Sequence, residues 1–129
     1  MVLKEPLNPE MIDAGQALIQ RLDAKNEDIS AAIWLYFTEP NVWRLMLATP
    51  IVKAKGPLSA YKMIQSVLRR HNDEFPMLDL QDITVVAPDD AVLEPFRIAI
   101  KESGTAGIRL SRTAIGGQYI DDAYVYRAA

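Results

Sequence analysis

With 129 residues, a formal charge of −3, half its side chains apolar and no cysteine, the chain has the composition of one globular domain rather than a disordered segment. It has no disulfide, no thiolate nucleophile and no cysteine-ligated metal centre. No basic segment followed by an apolar one opens it, and the apolar stretch at 31–52 is broken by Glu39, Pro40 and Arg44 where a membrane span needs about 20 mostly uncharged residues. The expectation is a cytoplasmic α/β domain over 1–129 that does not enter a membrane, frayed at 1–7 and 128–129.

Charge is unevenly distributed. Residues 1–40 sum to −4, residues 41–72 to +6 and residues 73–129 to −5. The middle segment carries Arg44, Lys53, Lys55, Lys62, Arg69 and Arg70 and no carboxylate. Folding the acidic flanks back onto it would neutralise it; left open, it could meet phosphates locally, against an unfavourable overall charge.

Asn8-Pro9-Glu10 reads as a helix start: a side chain that caps, a residue preset for the first turn and a carboxylate at the positive pole. Met11, Ala14, Leu18 and Leu22 then recur at helical spacing to about Ala24. Gly15 either weakens this helix or lets another element approach it closely.

Residues 29–52 hold both tryptophans and the densest apolar sequence, in two runs flanking Pro40-Asn41. They predict a β-hairpin. An odd loop centred on Pro40 would place Phe37 opposite Trp43, Leu35 opposite Leu45 and Ile33 opposite Leu47 on a core face. Trp34, Tyr36, Arg44 and Met46 would then share a second, semi-polar face, to be covered by the first helix, a second subunit or a ligand.

Lys53, Lys55 and Gly56 form a basic connection to a second helix opened by Pro57, with an inward stripe of Leu58, Tyr61, Ile64 and Leu68. Arg69, Arg70 and His71 end it at the negative pole of the dipole. Residues 83–87 are wholly apolar apart from Thr84 and read as an interior strand buried on both faces. Asp89 or Asp90 caps a third helix, regular from about Glu94 to Ser103 because Pro95 is tolerated only in its first turn; Gly104 stops it. Residues 108–113 alternate as a strand with one buried face, Gly116-Gly117 turns, and 120–127 form the last strand, with Tyr124 and Tyr126 on one face.

The order α-β-β-α-β-α-β-β predicts a mixed five-stranded sheet with three helices, a parallel centre and a hairpin at each edge. The carboxyl ends of its parallel strands would form a rim, where open α/β sheets bind ligands. That rim would gather Lys53, Lys55 and Gly56 as an anion site beside a helix start, and Asp89, Asp90, Asp121 and Asp122 as oxygen ligands for Mg²⁺. Together they would suit metal-assisted phosphoryl or phosphodiester hydrolysis. Simpler roles exist for each: an N-cap for Asp89 or Asp90, a solvated strand start for Asp121-Asp122. His71, the single histidine, excludes zinc sites with two or more histidines, and at a helix end it caps. No Walker loop, nucleophile elbow or RNP-like motif is present.

Trp34, Tyr36, Arg44 and Met46 have the composition of a subunit interface. If strand order follows chain order, both crossover helices fall on one face and dimerisation covers the other. The leading reading is a non-enzymatic interaction module, homodimeric and without a cofactor. The alternatives are the rim hydrolase with Mg²⁺ and a nucleic-acid binder using residues 41–72.

Overall fold

Asn8 starts the first helix as its side chain allows: Oδ1 accepts the Met11 backbone N–H at 2.8 Å, and α1 runs Pro9–Ala24. The computed structural model describes residues 6–104 and 107–129. After α1 come β1 (Ala31–Phe37), β2 (Val42–Ala48), a single-turn α2 (Ile51–Ala54), α3 (Pro57–Arg70), β3 (Ile83–Val86), α4 (Glu94–Ser103), β4 (Ile108–Ile115) and β5 (Gln118–Ala128). The fold is a single-domain α+β architecture with a mixed, open five-stranded sheet and three long helices, as the pattern predicted. Among the described residues no helix is long and apolar enough to cross a membrane. Of the expected frayed ends, residues 1–5 lie outside the described residues. Leu7 is buried, Ala128 pairs with Ala31, and the Ala129 N–H donates to the Ser30 carbonyl.

The strand order is β3-β2-β1-β5-β4. Only β2 and β3 are parallel; every other neighbouring pair is antiparallel. The expected parallel centre is therefore corrected. β2–α3–β3 is the parallel unit predicted, but α4 carries the chain from one edge of the sheet to the other. The β4–β5 hairpin closes that far edge, around Gly116 and Gly117, whose φ values of 58° and 80° suit a tight hairpin turn. The β1–β2 hairpin is interior on both sides, because β3 lies outside β2 and β5 outside β1. β3 is in turn an edge strand, not an interior one. Its apolar run is explained by helices on both faces: Ile83 and Val85 join one core, and Val86 packs on the other.

The hairpin register differs from the expected one by a residue. Tyr36 pairs with Trp43, Trp34 with Leu45 and Leu35 with Arg44. The connecting loop has four residues, 38–41, and not an odd number, with Asn41 at φ 70°. Because side chains alternate with period two, this single residue regroups both faces. Trp34 and Tyr36 now share a face with Trp43, Leu45 and Leu47, while Ile33 and Leu35 share the other with Met46. The observed pairing sets Arg44 opposite Leu35, and the Arg44 guanidinium donates to the Gln81 carbonyl at 2.5 Å.

The helices divide two to one. α1 and α3 cover the face of Trp34 and Trp43; α4 alone covers that of Ile33 and Leu35. The two crossover helices, α3 and α4, therefore lie on opposite faces and not on one as expected, and Trp34 is covered from within the chain. Gly15 is what permits this. A Cβ there would collide with Tyr126 Oη and stand 2.9 Å from Trp34 Nε1. The Trp34 ring N–H donates to the Met11 carbonyl at 3.1 Å and to Tyr126 Oη at 3.0 Å, and the Tyr126 hydroxyl donates to the Ile12 carbonyl at 2.6 Å. Two strands are thereby tied to one turn of α1, and burial pushes the Tyr126 phenol far above its usual pKa.

Candidate functional site

β2 and β3 run toward the end of the sheet where β1 begins, and they deliver Lys53, Lys55 and Asp89, Asp90 there. β5 starts from the opposite end, at the Gly116-Gly117 turn, so Asp121 and Asp122 lie in its early part, beyond reach of that group. One rim does not gather the predicted set, because β5 runs parallel to β2 and starts at the end from which β2 sets out.

What does come together is already matched. Lys53 and Asp89 form an ion pair in open solvent, and Lys53 holds the Asp89 carboxyl below its usual pKa. Asp90 accepts the Val92 N–H at 3.0 Å, the capping role predicted for it or its neighbour. Gly56, at φ 93°, is the residue before α3, and Lys55 precedes it, exposed. Asp122 is buried and accepts two hydrogen bonds from Arg109, at 2.7 and 2.8 Å, and one from Ser111 at 3.0 Å. The Arg109 guanidinium also lies 5.6 Å from the Trp43 ring centroid, and Trp43 packs on Tyr36 at 5.4 Å. This strip neutralises charge and positions aromatics; it leaves Asp122 no open coordination side like that of a metal ligand. Among the described residues no three His, Cys, Asp or Glu side chains converge as a metal site.

The expected interface quartet is divided by the register. Trp34 (2% exposed) and Tyr36 (6%) are buried under α1, and Met46 (3%) is buried under α4. Arg44 shares the sheet face of Met46 and not that of the aromatics. A surface made of these four residues is corrected: the chain covers three of them itself. His71 sits at the C-cap of α3 as predicted, with Nδ1 3.1 Å from Glu74, whose carboxyl Arg21 holds low. The remaining cations of the +6 segment, Lys55, Lys62, Arg69 and Arg70, line the outside of α2 and α3.

The surface that stands out lies on the face covered by one helix. α4 does not reach the end of β1, and a cleft of about 600 Å³ opens between the end of β1, the start of β5 and the first turn of α4. Leu35, Phe37, Pro95, Phe96 and Ile120 form its apolar wall. Among the described residues three large apolar side chains are exposed, Leu58 (67%), Tyr119 (64%) and Val92 (37%), and the last two flank this cleft. Its lining holds one carboxylate, Asp121, and no Lys or Arg. Carboxylates are also the chain neighbours of three lining residues: Glu39 beside Thr38, Asp90 beside Ala91 and Glu94 beside Pro95.

Sequence reasoning missed the cleft. It placed Leu58 on the buried stripe of α3, began the last strand after Tyr119, and left Val92 in an unassigned turn. The available signal was an aromatic two residues past a Gly-Gly turn. Compared with known proteins, the chain matches no family model, no curated protein and no solved structure.

Proposed function

We propose that the chain is a non-enzymatic, cytoplasmic interaction module, and that the cleft beside Phe37, Val92 and Tyr119 is its docking surface. The observation that supports this is the placement, at the mouth of one apolar cleft, of two of the three large apolar side chains exposed among the described residues. A cleft of this size takes one or two apolar side chains of a partner, and the carboxylates around it favour a cationic neighbour to those side chains. The ion pairing of Lys53 with Asp89 and the threefold hydrogen bonding of Asp122 favour this over the hydrolase reading, which needs those groups directed at a substrate.

Amide NMR of the labelled chain, titrated with short peptides that present one Leu, Phe or Trp beside a Lys, tests the proposal. Shifts should concentrate at 35–38, 91–96 and 118–121, and the double variant Val92→Asp/Tyr119→Asp should lose them while keeping the native spectrum elsewhere. Shifts confined to other surfaces would refute it. So would phosphodiester hydrolysis that disappears in Asp89→Asn or Asp122→Asn.

A further inference from the structure

The third exposed apolar residue lies at the other end of the molecule. Leu58 is in the first turn of α3, on the face of the sheet opposite the cleft. It is 67% exposed, while its helix buries Ala60, Ile64, Val67 and Leu68. Lys55 precedes it by three residues, and Lys62 follows one helical turn later, on the same side as Leu58. Both lysines are exposed, and among the described residues neither has an ion-pair partner, in contrast with Lys53. Leu58 is therefore an apolar knob within a basic collar. The cleft is an apolar socket with Asp121 in its wall and Glu39, Asp90 and Glu94 next to its lining. Holding a large apolar side chain in water forgoes the free energy of burying it, and knob and socket match in both size class and charge.

We infer that Leu58 of one copy, with Lys55 and Lys62, docks into the cleft of a second copy. This rests on the cleft being a docking surface and names its occupant. One chain cannot satisfy itself: the end of β2 leads to Leu58 and the end of β1 to the cleft, and these strands are antiparallel. The contact is accordingly head-to-tail. A joined pair keeps one unused knob on one copy and one unused socket on the other, so assembly continues into a ring or an open chain and does not stop at a symmetric pair. The lysine–carboxylate component makes it weaken as salt rises.

Sedimentation velocity from micromolar to millimolar concentration tests this. The wild-type chain should form species that grow with concentration and shrink with salt. Leu58→Asp alone and Val92→Asp/Tyr119→Asp alone should each weaken association by at least about tenfold, with unchanged circular dichroism, since all three positions are exposed. Mixed together, the two variants retain one intact socket and one intact knob between them. The mixture should give a 1:1 heterodimer and nothing larger. Lys55→Gln/Lys62→Gln should weaken association and remove its salt dependence. A wild-type chain that stays monomeric at millimolar concentration overturns the inference, as does a mixture that stays monomeric while the wild type assembles. If peptides still bind the cleft in either case, the docking surface stands and only its occupant is wrong.

Discussion

The two faces of the sheet differ in how the chain closes them. On the first, two helices meet Trp34, Trp43 and Leu45, and every ring polar atom at the junction has a partner: Trp34 in α1 and Tyr126, Tyr126 in the Ile12 carbonyl. On the second, one helix covers Ile33, Met46 and Val125, and the sheet extends beyond it to leave the cleft. The first face shows what stability requires, which is close approach and paired polar groups. The second shows that a single helix of ten residues, about 15 Å long, does not cover a sheet whose last strand has eleven. Stability and binding are therefore separable by face, and substitutions should sort accordingly.

The largest effect is expected at the centre of the first face. Trp34→Ala should cost about 3–5 kcal/mol in denaturant unfolding, because it opens a cavity where the ring is 2% exposed. Gly15→Ala comes next. Helix propensity alone would stabilise by up to about 1 kcal/mol, but the added methyl meets Tyr126 and Trp34, and overpacking of about 1–3 kcal/mol should win. A stabilised Gly15→Ala would show that α1 can lift from the sheet without loss.

Arg109→Ala should cost about 1–3 kcal/mol at neutral pH, read from the unfolding midpoint. The buried Asp122 carboxylate loses both of its hydrogen bonds from Arg109, although the exposure of Arg109 limits the effect. Removing both partners, in Arg109→Ala/Asp122→Ala, should restore part of the loss. Tyr126→Phe should cost about 1–2 kcal/mol below pH 10 through the loss of its hydrogen bonds with Trp34 and the Ile12 carbonyl. It should also change the response to alkali. A phenol whose folded pKa is raised contributes stability that is complete below its unfolded value of 10.0 and declines as pH rises above it. The wild type should weaken above that pH, and Tyr126→Phe should lack this component of the slope. The smallest effect is expected on the second face: Val92→Ala and Tyr119→Ala should each stay within about 0.5 kcal/mol of wild type in unfolding, while measurably weakening capture of Leu-bearing peptides.

The candidate sites show why sequence reasoning reached one face and not the other. Trp34 and Tyr36 were recognised as a pair on one face needing cover, and α1 was among the possible covers. The Gly15 contact could be foreseen only as one of two options, since nothing local says which element arrives. The rim constellation required β3 and β4 to be neighbours. They are the two edges, because α4 crosses the whole sheet, and no local pattern encodes how far a crossover travels.

What the sequence determined by itself was local. Capping at Asn8, the start of α3 at Pro57, the proline-limited α4 with its stop at Gly104, the Gly116-Gly117 turn and the alternation of Tyr124 and Tyr126 all follow from backbone preference and short-range periodicity. Tertiary structure decided the rest. One residue of loop length at 38–41 exchanged the partners of every hairpin side chain, because a strand's period of two turns a single-residue shift into a change of face. The order of strands then decided which carboxylates could meet and which apolar side chains would be left in water, and both are sums of long-range contacts that no stretch of the chain contains alone.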